Sequence, residues 1–126
     1  QQQLAARFAS PWIWLFLPSA LFAAGHYAPA VYGENALLVV VLTGTIGLVF
    51  ADLTARTGSL GAAWGLHFAN NTMGIAMVSS VDQLGGLALY KLPRETLTAD
   101  VERFGMLQSL LIVLIIWLLI RIAIRR

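Results

Sequence analysis

The sequence predicts an all-α, polytopic helical membrane protein of about four apolar helices, built as part of a larger bundle. Three observations lead there. Of 126 residues 59% are hydrophobic and 11% are charged, and the mean hydropathy is +0.78, a composition that suits lipid as solvent. The stretch "MLQSLLIVLIIWLLIRIAI" carries no charge until Arg121. As a helix it reaches roughly 28 Å, close to the thickness of a bilayer core. Three further apolar stretches are separated by turn-forming residues. With no cysteine, disulfide scaffolds, thiolate metal sites and cysteine nucleophiles are excluded. The net charge of +2 is small and dispersed, which argues against a nucleic-acid partner.

The chain opens on "QQQLAARF", which is polar and has no basic n-region followed by an apolar h-region. It reads as an interfacial connector leaving an earlier helix. Residues 1–126 are therefore expected to be one membrane domain within a longer protein. The first apolar segment covers residues 11–26, with Ser10 as its cap and Pro11 in the first position. Pro18 predicts a kink or a restart. "YAPAVYGEN" then makes a turn-rich, aromatic connection suited to an interface. The second segment, 36–55, follows Asn35 as cap and stops where Gly58 can turn left-handed. Ser59 is placed to cap the third, 60–79, so these two should form a tight antiparallel hairpin. The loop "VDQLGGLALYKLPRETLTADVERFG" gathers most of the acidic residues and is expected to be aqueous or interfacial. Thr98 caps the last segment, 105–124.

Small residues suggest how the helices meet. Gly61 and Gly65 form a GxxxG ridge, and Gly44 with Gly47 offers a similar flat face, so close backbone approach is expected at both. If all four segments span, Arg7, Arg56, Arg121, Arg125 and Arg126 fall on one side, against Lys91, Arg94 and Arg103 on the other. The excess assigns the first side, with the C-terminus, to the cytoplasm.

Within the third segment lies "GLHFANNTMG", where a histidine and two asparagines occupy sequence apolar enough for hydrocarbon. Ionisable residues at such depth are costly and usually face a bundle interior, a cavity or a site. His67 and Asn71 are four residues apart and share a helix face, while Asn70 points about 100° away. Counted from Gly58, His67 lies roughly 14 Å deep and Asn71 roughly 20 Å; His26, counted from Pro11, lies roughly 22 Å from the same side. A cluster of His26, His67 and Asn71 is geometrically allowed. Its plainest explanation is interhelical hydrogen bonding; its sharper one is a site. Two histidines could also hold zinc, but a catalytic zinc usually takes a third protein ligand and an amide oxygen replaces it poorly. No bound metal or other cofactor is expected. Asp52 precedes Arg56 by four residues, as in a local salt bridge, and Glu34 sits in the turn after the first segment.

"LFAAGH" followed by "GLVFADLTARTGSLGAAWGLHFANN" resembles the CAAX protease and bacteriocin-processing family of intramembrane endopeptidases. That family carries three motifs in order: EExxxR, FxxxH, and HxxxN or HxxxD. Phe22 to His26 matches the second and His67 to Asn71 the third, with the "RTGSL" turn between them. The resemblance covers Gln1 to about residue 80 and implies that this is the C-terminal portion of such a protease domain. It further implies that a glutamate of the first motif, assisted by His26, activates water, while His67 and Asn71 stabilise the oxyanion. No EExxxR occurs in residues 1–126. On this reading the motif lies upstream, or the protein is a non-catalytic relative.

The function expected from the resemblance is intramembrane endoproteolysis of a membrane-associated peptide, such as a prenylated or bacteriocin-like substrate. The partners are then the lipid bilayer and that peptide, with other membrane subunits allowed, and the location is the bacterial inner membrane. The alternative class is a structural or scaffolding subunit that uses the same helices to pack against a larger membrane complex.

Overall fold

The computed structural model describes residues 1–79, 87–93 and 96–124. Among these the architecture is helical. A short helix α1 (Gln2–Ala5) leads to a π-helical turn, Trp12–Phe16, which runs into α2 (Leu17–Ala24). A one-turn helix α3 (Pro29–Tyr32) and a 3-10 turn, Gly33–Asn35, lead into the long α4 (Ala36–Thr57). After the turn at Gly58 comes α5 (Gly61–Asn71), extended by a second π-helical stretch, Thr72–Met77. The last helix is α6 (Ala99–Ala123). Two-residue strands β1 (Val78–Ser79) and β2 (Tyr90–Lys91) pair in parallel, Val78 opposite Tyr90 and Ser79 opposite Lys91.

The helical run Pro29–Thr57 and the helix Ala99–Ala123 are each long and apolar enough to cross a membrane, with window hydropathies of 2.3 and 2.4. In the most apolar window of α6 only 6% of the residues are buried. A water-soluble fold would hide such a surface. The protein is an all-α membrane protein. Trp12–Ala24 is a shorter apolar helix.

The expected restart at Pro18 takes the form of the π turn ahead of it. Pro18 has no N–H to donate to the Trp14 carbonyl, so the regular pattern cannot close there and the helix opens to wider bonding. Ser10 does not cap with its hydroxyl; its carbonyl accepts from Ile13 N–H at 3.1 Å. The third segment, expected as one regular helix over 60–79, is α-helical only to Asn71. β-branched Thr72 and Gly74 weaken the α-helix just past that point, and Ala76 O accepts from Leu89 N at 2.9 Å as the strand pair begins. The last helix starts at Ala99 instead of 105, because Thr98 Oγ1 accepts from Val101 N at 3.3 Å and so sets the boundary.

Gly58 takes the left-handed stop, with φ 65° and ψ 10°. Ser59 Oγ accepts from Gly61 N at 3.1 Å, but the capping position of α5 is Leu60, which has no side-chain cap, so Ser59 braces the turn from one residue outside the cap expected of it. The hairpin of α4 and α5 buries Val49 and Leu53 among Phe50, Ala62 and Leu66, and α6 closes this core with Val113, Trp117 and Ile120.

Of the two small-residue faces, only one is used in the described structure. A Cβ on Gly47 would sit 3.2 Å from Ser19 Cβ and 3.3 Å from its Cα, and one on Gly44 3.2 Å from Ala23 Cβ. The buried, small Ser19 and Ala23 therefore let α2 lie directly on α4. The Gly61 and Gly65 ridge does not behave as expected. A Cβ at Gly65 would meet nothing within 4 Å, and one at Gly61 only Ser59 Oγ at 3.4 Å.

α4 and α6 run parallel and are tied at both ends. At the first end Asn35, 1% exposed, donates to Ala99 O at 2.9 Å and accepts from Arg103 Nε at 3.2 Å. Asn35 is thus a tie and not the side-chain cap expected of it: its backbone, at φ −84° and ψ −1°, is already helical, whereas a capping residue is extended. Arg103 also reaches Glu34 and Asp100, both at 3.4 Å. At the second end Asp52 receives Arg56 Nε at 2.9 and 3.0 Å, as the four-residue spacing predicts, and also Trp117 Nε1 at 2.8 Å. Arg121 stacks over Trp117, 4.8 Å from its ring centre, with its Nε 3.8 Å from Asp52.

Candidate functional site

The helix α5 presents its polar face through four-residue spacing, and the structure brings its two predicted members together. Asn71 Nδ2 lies 3.2 Å from His67 Nε2. An amide nitrogen only donates, so Nε2 accepts here and the proton of a neutral ring sits on Nδ1. One amide N–H of Asn71 and the Nδ1–H of His67 are left for another acceptor. Phe50, from α4, meets the His67 ring edge to face at 5.3 Å and 86°, which fixes the ring plane from outside its own helix.

His67 stands where two cavities meet. The larger, about 370 Å³, lies between α2, α4 and α5; Trp14, Pro18, Phe22, Phe50, Trp64 and His67 are among its walls. The second, about 340 Å³, is bounded by Trp64, His67, Phe68, Asn71, Thr72 and Ala76. Apolar walls with few polar groups are typical of a small-molecule or side-chain pocket. Asn70 lines neither of these two.

His26 is placed differently. It lies just past the end of α2, half-buried, with Nδ1 2.8 Å from Phe22 O and its ring 4.6 Å from that of Phe22. A carbonyl only accepts, so Nδ1 donates and the Nε2 lone pair of a neutral ring is free. Phe22 walls the larger cavity together with His67, whereas His26 lines neither cavity. The two halves of the expected cluster are therefore joined through Phe22 and the apolar cavity, not by direct contact among the three polar side chains.

The carboxylates weighed at the sequence level are engaged elsewhere: Glu34 with Arg103, and Asp52 with Arg56 and Trp117. Among the described residues no three His, Cys, Asp or Glu side chains come together as a metal site would require.

Several cavity residues escaped the sequence reading. Trp64 precedes His67 by three residues and so shares its face, a signal that was available. Phe50 and Trp14 come from other helices, and no local pattern announces them. Gln1, read as part of a connector, reaches the larger cavity, and its Nε2 donates to Ala51 O at 2.9 Å.

The described residues thus assemble a histidine–asparagine pair at the junction of two apolar cavities in a helical membrane protein. The family model described as "Type II CAAX prenyl endopeptidase Rce1-like" matches residues 1–73, more than half of the chain, and the chain belongs to that family. The match contains α2, the Gly58 turn and α5 with His67 and Asn71. No curated protein and no solved structure matches the chain.

Proposed function

We propose that the protein is an intramembrane endopeptidase that cleaves a membrane-associated peptide, a prenylated or bacteriocin-like substrate, with His67 and Asn71 donating hydrogen bonds to the oxyanion of the tetrahedral intermediate. The observation that carries this reading is the 3.2 Å contact between His67 and Asn71 at the junction of two cavities. The pair keeps two N–H donors in reserve; both side chains are exposed beside apolar walls, so a bound substrate would have to exclude solvent for these donors to act strongly on developing charge. Apolar walls suit a lipidated or hydrophobic segment, and the family's chemistry supplies peptide hydrolysis.

His26 would assist water activation through its free Nε2, together with a carboxylate of the family's EExxxR motif, which is not among residues 1–126. No metal or other cofactor takes part in this mechanism. On this reading the side that carries Arg56 and Arg121, with its basic excess, faces the cytoplasm across a bacterial cell membrane, and the C-terminus lies on that side.

The test is cleavage of a peptide substrate by the full-length protein in liposomes. His67→Ala is expected to lower turnover by about 10²- to 10³-fold, while thermal unfolding shifts little, since a hydrogen bond in a membrane is worth under about 2 kcal/mol. Asn71→Ala should act in the same direction more mildly, and Asn70→Ala should leave turnover intact. Equal losses at Asn70 and Asn71, or losses that track unfolding, would assign the pair to helix packing and favour a scaffolding role.

A further inference from the structure

The two ties between α4 and α6 carry opposite charge. Around Asn35 one guanidinium, Arg103, faces two carboxylates, Glu34 and Asp100. Around Trp117 two guanidinia, Arg56 and Arg121, share the single carboxylate of Asp52. Asp52 is only 20% exposed, and its oxygens already accept from Arg56 Nε and from the indole N–H. Arg121 is left half-buried at 24% exposure, stacked on the indole, with its Nε 3.8 Å from the carboxylate. Among the described residues, neither Arg121 nor the two Nη groups of Arg56 makes a hydrogen bond. A half-buried guanidinium whose one anionic neighbour among the described residues is a shared carboxylate beyond hydrogen-bond distance is poorly satisfied. Planar, bidentate donors of this kind match phosphate oxygens. The site lies at the C-terminal ends of two parallel membrane-crossing helices, beside a tryptophan, where lipid headgroups sit.

We propose that Arg56 and Arg121 bind the phosphate of an anionic phospholipid, which completes the charge balance of the Asp52 and Trp117 tie. The tie at Asn35 has the opposite excess and binds none.

Native mass spectrometry of the full-length protein, released from micelles doped with phosphatidylglycerol or with phosphatidylcholine of the same acyl chains, tests this. Preferential retention of phosphatidylglycerol is expected. Arg56→Gln and Arg121→Gln should each weaken it about fivefold, the scale of one arginine at an anionic surface, without changing phosphatidylcholine retention. Arg103→Gln should leave both unchanged. Asp52→Asn removes the competing carboxylate yet keeps an oxygen for the indole, and is expected to tighten phosphatidylglycerol binding. Equal retention of the two lipids would overturn the proposal, as would loss of phosphatidylglycerol in Asp52→Asn in step with thermal stability, which would make the arginines a structural tie alone. Inorganic phosphate at the lipid's concentration should leave the lipid bound, and its displacement of the lipid would overturn the lipid assignment.

Discussion

His67 owes its orientation to one neighbour on its own helix and one from across the bundle. The first was legible, because residues four apart on a helix must stack. The second was not: Phe50 lies on α4, 17 positions earlier in the chain, and only the hairpin turn at Gly58 brings it edge-on to the imidazole. Phe50→Leu keeps the bulk but loses the aromatic edge, which is worth about 0.5–1.5 kcal/mol. Turnover is expected to fall by up to about tenfold with KM little changed, as steady-state kinetics on the reconstituted protein would show. A tenfold rise in KM at constant kcat would instead mean that Phe50 acts through the cavity it lines and not through the orientation of His67. Asn35 teaches the complementary lesson. An asparagine before an apolar run reads as a cap, yet its amide spans to Ala99 and Arg103 at 64 and 68 residues' separation. Long-range partners leave no mark on local sequence.

At the scale of elements, termini were more legible than packing. The Thr98 cap and the Gly58 stop each depend on one residue type with one conformational demand, so the sequence states them outright. Thr98→Ala should cost about 1 kcal/mol of stability, measurable as a lowered unfolding midpoint in detergent. The glycine faces were harder, because GxxxG spacing says that a helix can be approached closely without saying which one is. In Gly47→Ala the new methyl would press on the Ser19 backbone, and α2 would have to lift from α4. A clear fall in melting temperature is expected. Gly65→Ala enters open space and gains helix propensity of roughly 1 kcal/mol, so it should leave the midpoint equal or higher. Reversal of this order would mean that the Gly61 and Gly65 ridge is the packed one. The two π-helical stretches were beyond the reach of apolar periodicity. Pro18 announced that something would happen near it, but nothing in "NTMGIAM" specifies a π turn over a frayed α turn.

For the molecule as a whole, the membrane character was written in composition, since lipid-facing side chains need no polar partner and betray themselves by hydropathy alone. The parallel pairing of α4 and α6 was implied by segment count and is enforced by the two ties. Those ties sit at Asn35 and Asp52, roughly 26 Å apart at 1.5 Å per residue, while an average bilayer has a hydrocarbon core of about 30 Å. Polar groups cannot follow the acyl chains inward, so either the surrounding leaflets thin or the pair of helices strains at one end. The ties would therefore make stability sensitive to bilayer thickness, a gauge of the surrounding membrane. Thermal stability in liposomes of dimyristoyl phosphatidylcholine should exceed that in the longer dioleoyl lipid, and replacing Asn35 by Ala should flatten the difference. In a cell with membranes of unequal thickness, such a gauge would bias the protein toward the thinner one.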